Sequence, residues 1–293
     1  MSLEEAMVKA VVEAITRASI YLPPDVKQAL QRAYEEETSP AAKAQLQAIL
    51  KNIELAEKLK APICQDTGLI TFYVRVGARF PAIRNIEDAL IKATREATKS
   101  VPLRPNSVDP ISGRKPGDNT GRYVPIVIWD GVNSERDTLE ITVVPKGGGS
   151  EYVTTFNIIP PGKGLEGVKE LVLDTVIKAG AMPCPPVIIG VGIGGTADFA
   201  MYLAKKAATV RKIGTKHPDP TIAKFEEDLL RMVNELGIGA MGMGGKASTA
   251  LAVHVDYAYR HPATYAVAIA FQCWAARRAT VTIKPDGSYF VEQ

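Results

Sequence analysis

The sequence predicts a mixed α/β protein (α+β). A helical N-terminal layer over residues 1–60 leads into a mixed sheet with flanking helices over 61–293. Two patterns carry this prediction. Apolar residues recur at helical spacing as far as Leu59, and from Leu69 onward short β-branched runs alternate with longer amphipathic ones. At 293 residues the chain exceeds the usual domain size, so one large domain made of these two parts or two closely packed domains are both possible.

Leu3, Met7, Val11, Ala14 and Ile15 mark the apolar face of a first helix. Pro23-Pro24 parts it from a second, and Ser39-Pro40 parts the second from a third, with proline in the favoured first turn. Leu69–Val76 is β-branched and aromatic, as a strand should be. Asn85 predicts the N-cap of a helix to about Ser100. Val101–Arg122 is too rich in Pro, Gly, Asn and Asp for regular structure. That loop presents Arg104, Arg114, Lys115 and Arg122 either to an anionic ligand or to water.

Val124–Trp129 and Thr138–Val144 read as strands, followed by Pro145-Lys-Gly-Gly-Gly-Ser150. Consecutive glycines there let backbone N–H groups approach an anion, or form a flexible hairpin tip. Gly164–Lys178 is a helix, Val187–Gly192 a buried strand and Ala197–Ala208 an apolar helix entered through Gly194-Gly195-Thr196. The strand–glycine–helix order superficially suggests a nucleotide site, but the spacing is not G-x-G-x-x-G with a later acid. Close helix packing would need the same glycines. A second glycine turn, Ile238–Lys246, echoes the first and hints at two related half-units. Between the turns, Pro220–Leu236 is an amphipathic helix. His254 lies among apolar residues and reads as a core histidine, whereas His261 precedes Pro262 in a turn.

Composition narrows the function classes. With 46% hydrophobic and 23% charged residues and a mean hydropathy of +0.01, the chain reads as a soluble globular protein. Net charge +3 without a dense basic tract argues against nucleic acid. The acidic start Met-Ser-Leu-Glu-Glu-Ala is unlike a signal peptide, and no uncharged run approaches the ~18 residues of a membrane span. The expected setting is the cytosol, where thiols stay reduced.

Cys64, Cys184 and Cys273 are the three cysteines, an odd number that argues against a disulfide framework. They are either unrelated buried thiols or ligands of one metal centre. Their separations of 120 and 89 residues exclude zinc-ribbon and ferredoxin spacings, so only folding could unite them. Three thiolates on a [4Fe–4S] cluster leave one iron open to act as a Lewis acid on a departing hydroxyl. Dehydration of a hydroxy acid also needs proton-handling groups and carboxylate donors. Asp66 and His261 can move protons, Arg104 can grip a carboxylate bidentately, and Gly147–Gly149 can offer N–H groups. A strong base for a carbon-bound proton is not apparent.

Several motifs occur in order along nearly the whole chain: Cys64-Gln65-Asp66-Thr67-Gly68, Arg104 with Gly117-Asp118-Asn119-Thr120, and Pro145-Lys-Gly-Gly-Gly-Ser150. Met182-Pro-Cys-Pro-Pro186, Gly192–Asp198 and the run from His261 to Cys273 complete the set. Together they resemble the class I, iron–sulfur fumarate hydratases, and more narrowly the separate α subunit of the two-subunit form shared with L(+)-tartrate dehydratase. The resemblance implies a [4Fe–4S] cluster held by Cys64, Cys184 and Cys273 with one open iron. It implies dicarboxylate contacts from Gln65, Asp66, Arg104 and Gly148, and acid–base roles for Asp66 and His261. It also implies a single cluster-binding catalytic domain, completed by a separate β subunit in an α₂β₂ assembly that supplies the base missing here. The expected reaction is reversible dehydration of L-malate to fumarate. L(+)-tartrate dehydration is the nearest alternative, and a non-catalytic metal-stabilised or nucleotide-binding module is the alternative of another class.

Overall fold

A computed structural model describes residues 2–293. In chain order the helices are α1 (Leu3–Ile20), α2 (Pro24–Glu36), α3 (Pro40–Leu59), α4 (Ile86–Ser100), α5 (Gly148–Tyr152), α6 (Gly164–Ala179), α7 (Ala197–Thr209) and α8 (Pro220–Glu235). The strands are β1 (Leu69–Gly77), β2 (Ile126–Asn133), β3 (Leu139–Lys146), β4 (Thr155–Ile159), β5 (Val187–Ile193), β6 (Ala250–Tyr257), β7 (Tyr265–Gln272), β8 (Ala279–Ile283) and β9 (Tyr289–Glu292). The mixed α/β class expected from the sequence is therefore the class observed. The chain divides into two compact units, one of residues up to Pro23, Ile53–Gly147 and Arg277–Gln293, the other of Pro24–Asn52 and Gly148–Ala276. The three expected N-terminal helices form where predicted but are shared out, α1 to the first unit and α2 with most of α3 to the second.

The first unit is built on a mixed sheet of order β2-β1-β3-β8-β9. β1 runs parallel to β2 and antiparallel to β3, and β3, β8 and β9 continue antiparallel. α1 starts in a capping box, with Ser2 Oγ accepting the Glu5 N–H at 3.2 Å and the Glu5 carboxylate accepting the Ser2 N–H at 2.7 Å. Its Met7, Val11 and Ile15 pack with Ile86, Leu90 and Ala93 of α4 over Phe72, Val74, Ile141, Val143 and Val281 of the sheet. Asn85 does stand at the N-cap of α4, yet its side chain makes no cap bond and reaches Glu4 instead. β2 begins at Ile126, two residues later than the apolar run suggests, since Pro125 has no N–H to give a ladder.

The second unit carries a sheet of order β4-β7-β5-β6 with helices on both faces. Val168, Val172 and Val176 of α6 and Leu229 and Val233 of α8 cover one face. On the other, Ala200, Ala204 and Ala208 of α7 meet Ala266, Ala268 and Ala270 of β7. A Cβ at Gly190 would lie 2.0 Å from the Ala204 carbonyl, and one at Gly192 would lie 1.9 Å from that of Ala200. The glycines of β5 thus serve close helix packing, the plainer of the two readings open from sequence. The later glycine turn is a 3₁₀ turn at Ala240–Gly242 ahead of β6, so its echo of the first does not extend to structure. Gly148 and Gly149 form neither a nest nor a hairpin tip but open the single turn of α5. Among the described residues no helix is long and apolar enough to cross a membrane.

Candidate functional site

The Cys64–Gly68 turn joins α3 to β1 in the first unit. Asp66 Oδ1 accepts the Gly68 N–H at 3.0 Å and the Asn106 amide at 3.3 Å. Gly68 has φ +82°, and a Cβ there would lie 2.8 Å from the Pro145 and Lys146 backbone, so only glycine lets the turn close onto β3. Buried Thr67 accepts the Arg104 N–H at 3.0 Å, which pins the long loop to this turn. Asn119 (φ +59°, buried) grips the same stretch, accepting the Asn106 N–H at 2.7 Å and donating to the Arg104 carbonyl at 2.9 Å. The Arg104 side chain stays exposed beside a backbone held from both sides, and Gln65 is exposed as well. Asp118 anchors the far end of the loop. Burial would raise its carboxyl, but the Thr120 hydroxyl and N–H and the Arg95 guanidinium outweigh burial and hold it below its ordinary range.

The other two thiols lie in the second unit, at one end of its sheet. Ile188 of β5 pairs with Gln272 of β7 and Ile193 pairs with Val267, so the turn entering β5 and the turn leaving β7 share an end. Cys184 stands in the first turn with φ +55°, and its carbonyl accepts the Trp274 N–H at 3.3 Å, tying it to the residue after Cys273. The Pro185 carbonyl accepts the Met241 N–H at 2.8 Å, so the Ile238–Lys246 turn braces the Cys184 turn. That brace is itself held by buried Glu37, which accepts the N–H groups of Thr38, Ser39 and Ala247 and the Ser248 hydroxyl. Burial opposes the Glu37 charge, but these donors win and hold its carboxyl below the ordinary glutamate range. Exposed Gly148 begins α5, where a Cβ at Gly149 would lie 3.2 Å from the Met182 carbonyl, so this turn lies on the Cys184 segment.

His261 is not brought to that end. It precedes β7, whereas Cys273 follows it, and the eight residues of the strand put about 23 Å between their ends. His261 is exposed there, with Nδ1 accepting the Ala263 N–H at 3.2 Å. His254 is the core histidine expected, its Nδ1–H donating to the Ala207 carbonyl at 3.0 Å.

Sequence reasoning missed Thr67, Asn106 and Asn119 as scaffolding, and it missed two buried polar side chains. Gln272, the residue before Cys273, is 1% exposed with neither amide atom hydrogen-bonded. Arg277 is equally buried, and its Nε and Nη1 have no partner. The three cysteines are partly exposed in turns and none is in a disulfide. Among the described residues no three His, Cys, Asp or Glu side chains stand as a ready metal-binding group. The donor set, three thiols with unsatisfied buried donors flanking Cys273 in sequence, nonetheless fits a thiolate-held iron–sulfur cluster, whose sulfides accept such bonds.

A profile of the fumarate hydratase (Fumerase) family matches residues 8–282. The chain belongs to that family, and so to the hydro-lyases, as the motifs implied. It is similar to the "Putative L(+)-tartrate dehydratase subunit alpha" of Methanocaldococcus jannaschii, 44% identical over 278 residues that cover 94% of this chain and 97% of that one. It is also similar to the L(+)-tartrate dehydratase subunit alpha of Escherichia coli strain K12, 38% identical over 268 residues that cover 92% and 88%.

Proposed function

We propose that this chain is the α subunit of an iron–sulfur hydro-lyase that interconverts L-malate and fumarate. Cys64, Cys184 and Cys273 would hold a [4Fe–4S] cluster, and a separate β subunit in an α₂β₂ assembly would complete the site. The two units would then serve as one catalytic domain in a reducing, cytosolic setting. The observation that carries the reading is the Cys64–Gly68 turn, where Asp66 is fixed by the Gly68 N–H and Asn106 while Thr67 holds the backbone of Arg104. When bound, the cluster supplies a Lewis acid at its open iron for the leaving hydroxyl.

The chain's own residues would do the rest. Exposed Arg104 takes one substrate carboxylate in a bidentate grip, with Gln65 and the Gly148 N–H as further donors. Asp66 exchanges the proton of the leaving oxygen, its turn holding the carboxylate still between cycles. The base for the carbon-bound proton comes from the β subunit. His261 lies at the far end of β7 from Cys273, and its proton-handling role is proposed for the assembled oligomer.

The names of the relatives support a second substrate, L(+)-tartrate, which differs from L-malate by one hydroxyl. The test is an anaerobic assay of the chain with its β subunit on L-malate, fumarate and L(+)-tartrate. Turnover of malate and fumarate is expected. Dehydration of tartrate without turnover of malate would give the second reading, and zinc without sulfide in the purified chain would favour a non-catalytic metal-stabilised module.

A further inference from the structure

Arg277 has no part in the reaction outlined above, although its setting is unusual. Its side chain is 1% exposed and is the largest of the fully buried ones. Nη2 donates to the main-chain carbonyl of Asp66 at 2.8 Å, while buried Nε and Nη1 have no hydrogen-bond partner. A guanidinium cannot shed its proton at any ordinary pH, so this is a permanent positive charge out of water. Such a charge is strongly disfavoured unless something negative offsets it. A Cβ at Gly147 would lie 3.1 Å from Asp66 Oδ2 and 4.0 Å from Arg277 Nη2, so carboxylate and guanidinium flank the same glycine. The carbonyl that Arg277 holds belongs to the turn that also carries Cys64.

We propose that Arg277 is a positioning residue for the anionic centre: its hydrogen bond holds the Cys64–Asp66 turn, and its buried charge offsets the negative charge of the Cys64 thiolate when that thiolate ligates a cluster. The inference rests on the cluster reading above. Outer donors and net charge set both retention and potential of a cluster. An Arg that only filled space would have no need of charge. The conservative variant Arg277→Lys therefore separates the two roles, since it keeps the charge and loses the planar fork.

The test uses the chain with its β subunit, reconstituted anaerobically as wild type, R277K and R277Q. Folding is checked by circular dichroism before iron is added. Iron and sulfide content, the rate of iron release to a chelator, and the midpoint potential from an EPR-monitored titration are then read. R277Q is expected to release iron at least about ten-fold faster, as loss of an outer-shell partner usually does, and to have a lower potential. R277K is expected to keep a potential close to wild type. A folded R277Q with wild-type release rate and potential would overturn the proposal. So would an R277Q that fails to fold before iron is added, which would assign Arg277 to the fold. Wild-type chain that takes up no iron and sulfide would instead defeat the cluster reading, so the two failures are distinguishable.

Discussion

Asp66 is held by bonds that cost the chain several specialised neighbours. Gly68 must be glycine, Asn106 must reach across from the long loop, and a Cβ at Gly147 would press on Asp66 Oδ2 at 3.1 Å. Asp66→Asn keeps the shape and removes the proton exchange. It is expected to retain iron and sulfide while kcat falls by about 10²–10⁴-fold, measured on fumarate hydration. Gly68→Ala attacks the support instead. A Cβ at φ +82° and 2.8 Å from the β3 backbone is expected to lower stability by about 1–3 kcal/mol, read as a shift of the denaturant midpoint. Cys64 and Asp66 were legible as a motif because Pro62 and Gly68 bracket them. The scaffolding role of Asn119 was not, since the left-handed φ that lets one side chain serve two stretches of the loop leaves no mark in composition.

At the scale of elements, α7 packs closely on β5 through glycines of the strand. Gly192→Ala would drive a methyl group to 1.9 Å from the Ala200 carbonyl, and the resulting displacement of the helix is expected to cost about 1–3 kcal/mol, measured by thermal unfolding. The Glu37 clamp gives a pH test. Its carboxyl is held below the ordinary glutamate range, so the stability it contributes is fully present above the unfolded value of ~4.3 and is lost as pH falls through the lower folded value. Thermal midpoints of wild type should therefore drop more steeply below about pH 4.3 than those of Glu37→Gln, and parallel curves would remove the clamp from the account. Helices were readable because prolines and apolar spacing mark α1, α2, α3 and α8. The late strands were not. All eight residues of β7 are buried, and such a continuous apolar run has no period to distinguish strand from helix. Edge strand β4 is short, and the apolar Phe156 and Ile158 of its alternating run are the exposed residues, so its pattern runs opposite to burial.

At the scale of the whole molecule, the cysteines come from both compact units, Cys64 from the first and Cys184 and Cys273 from the second. Sequence could name all three as ligands only through a resemblance, because separations of 120 and 89 residues carry no metal-binding spacing. On the proposed reading, in which the β subunit supplies the base, the chain alone should take up iron and sulfide yet turn over substrate only when the β subunit is added. The most direct test of the central claim is iron and acid-labile sulfide analysis of the anaerobically reconstituted chain, run beside Cys64→Ala, Cys184→Ala and Cys273→Ala. Iron and sulfide in equal amounts are expected in wild type, and their loss in each variant. Zinc without sulfide, or a full complement of iron and sulfide in any one of the variants, would contradict it.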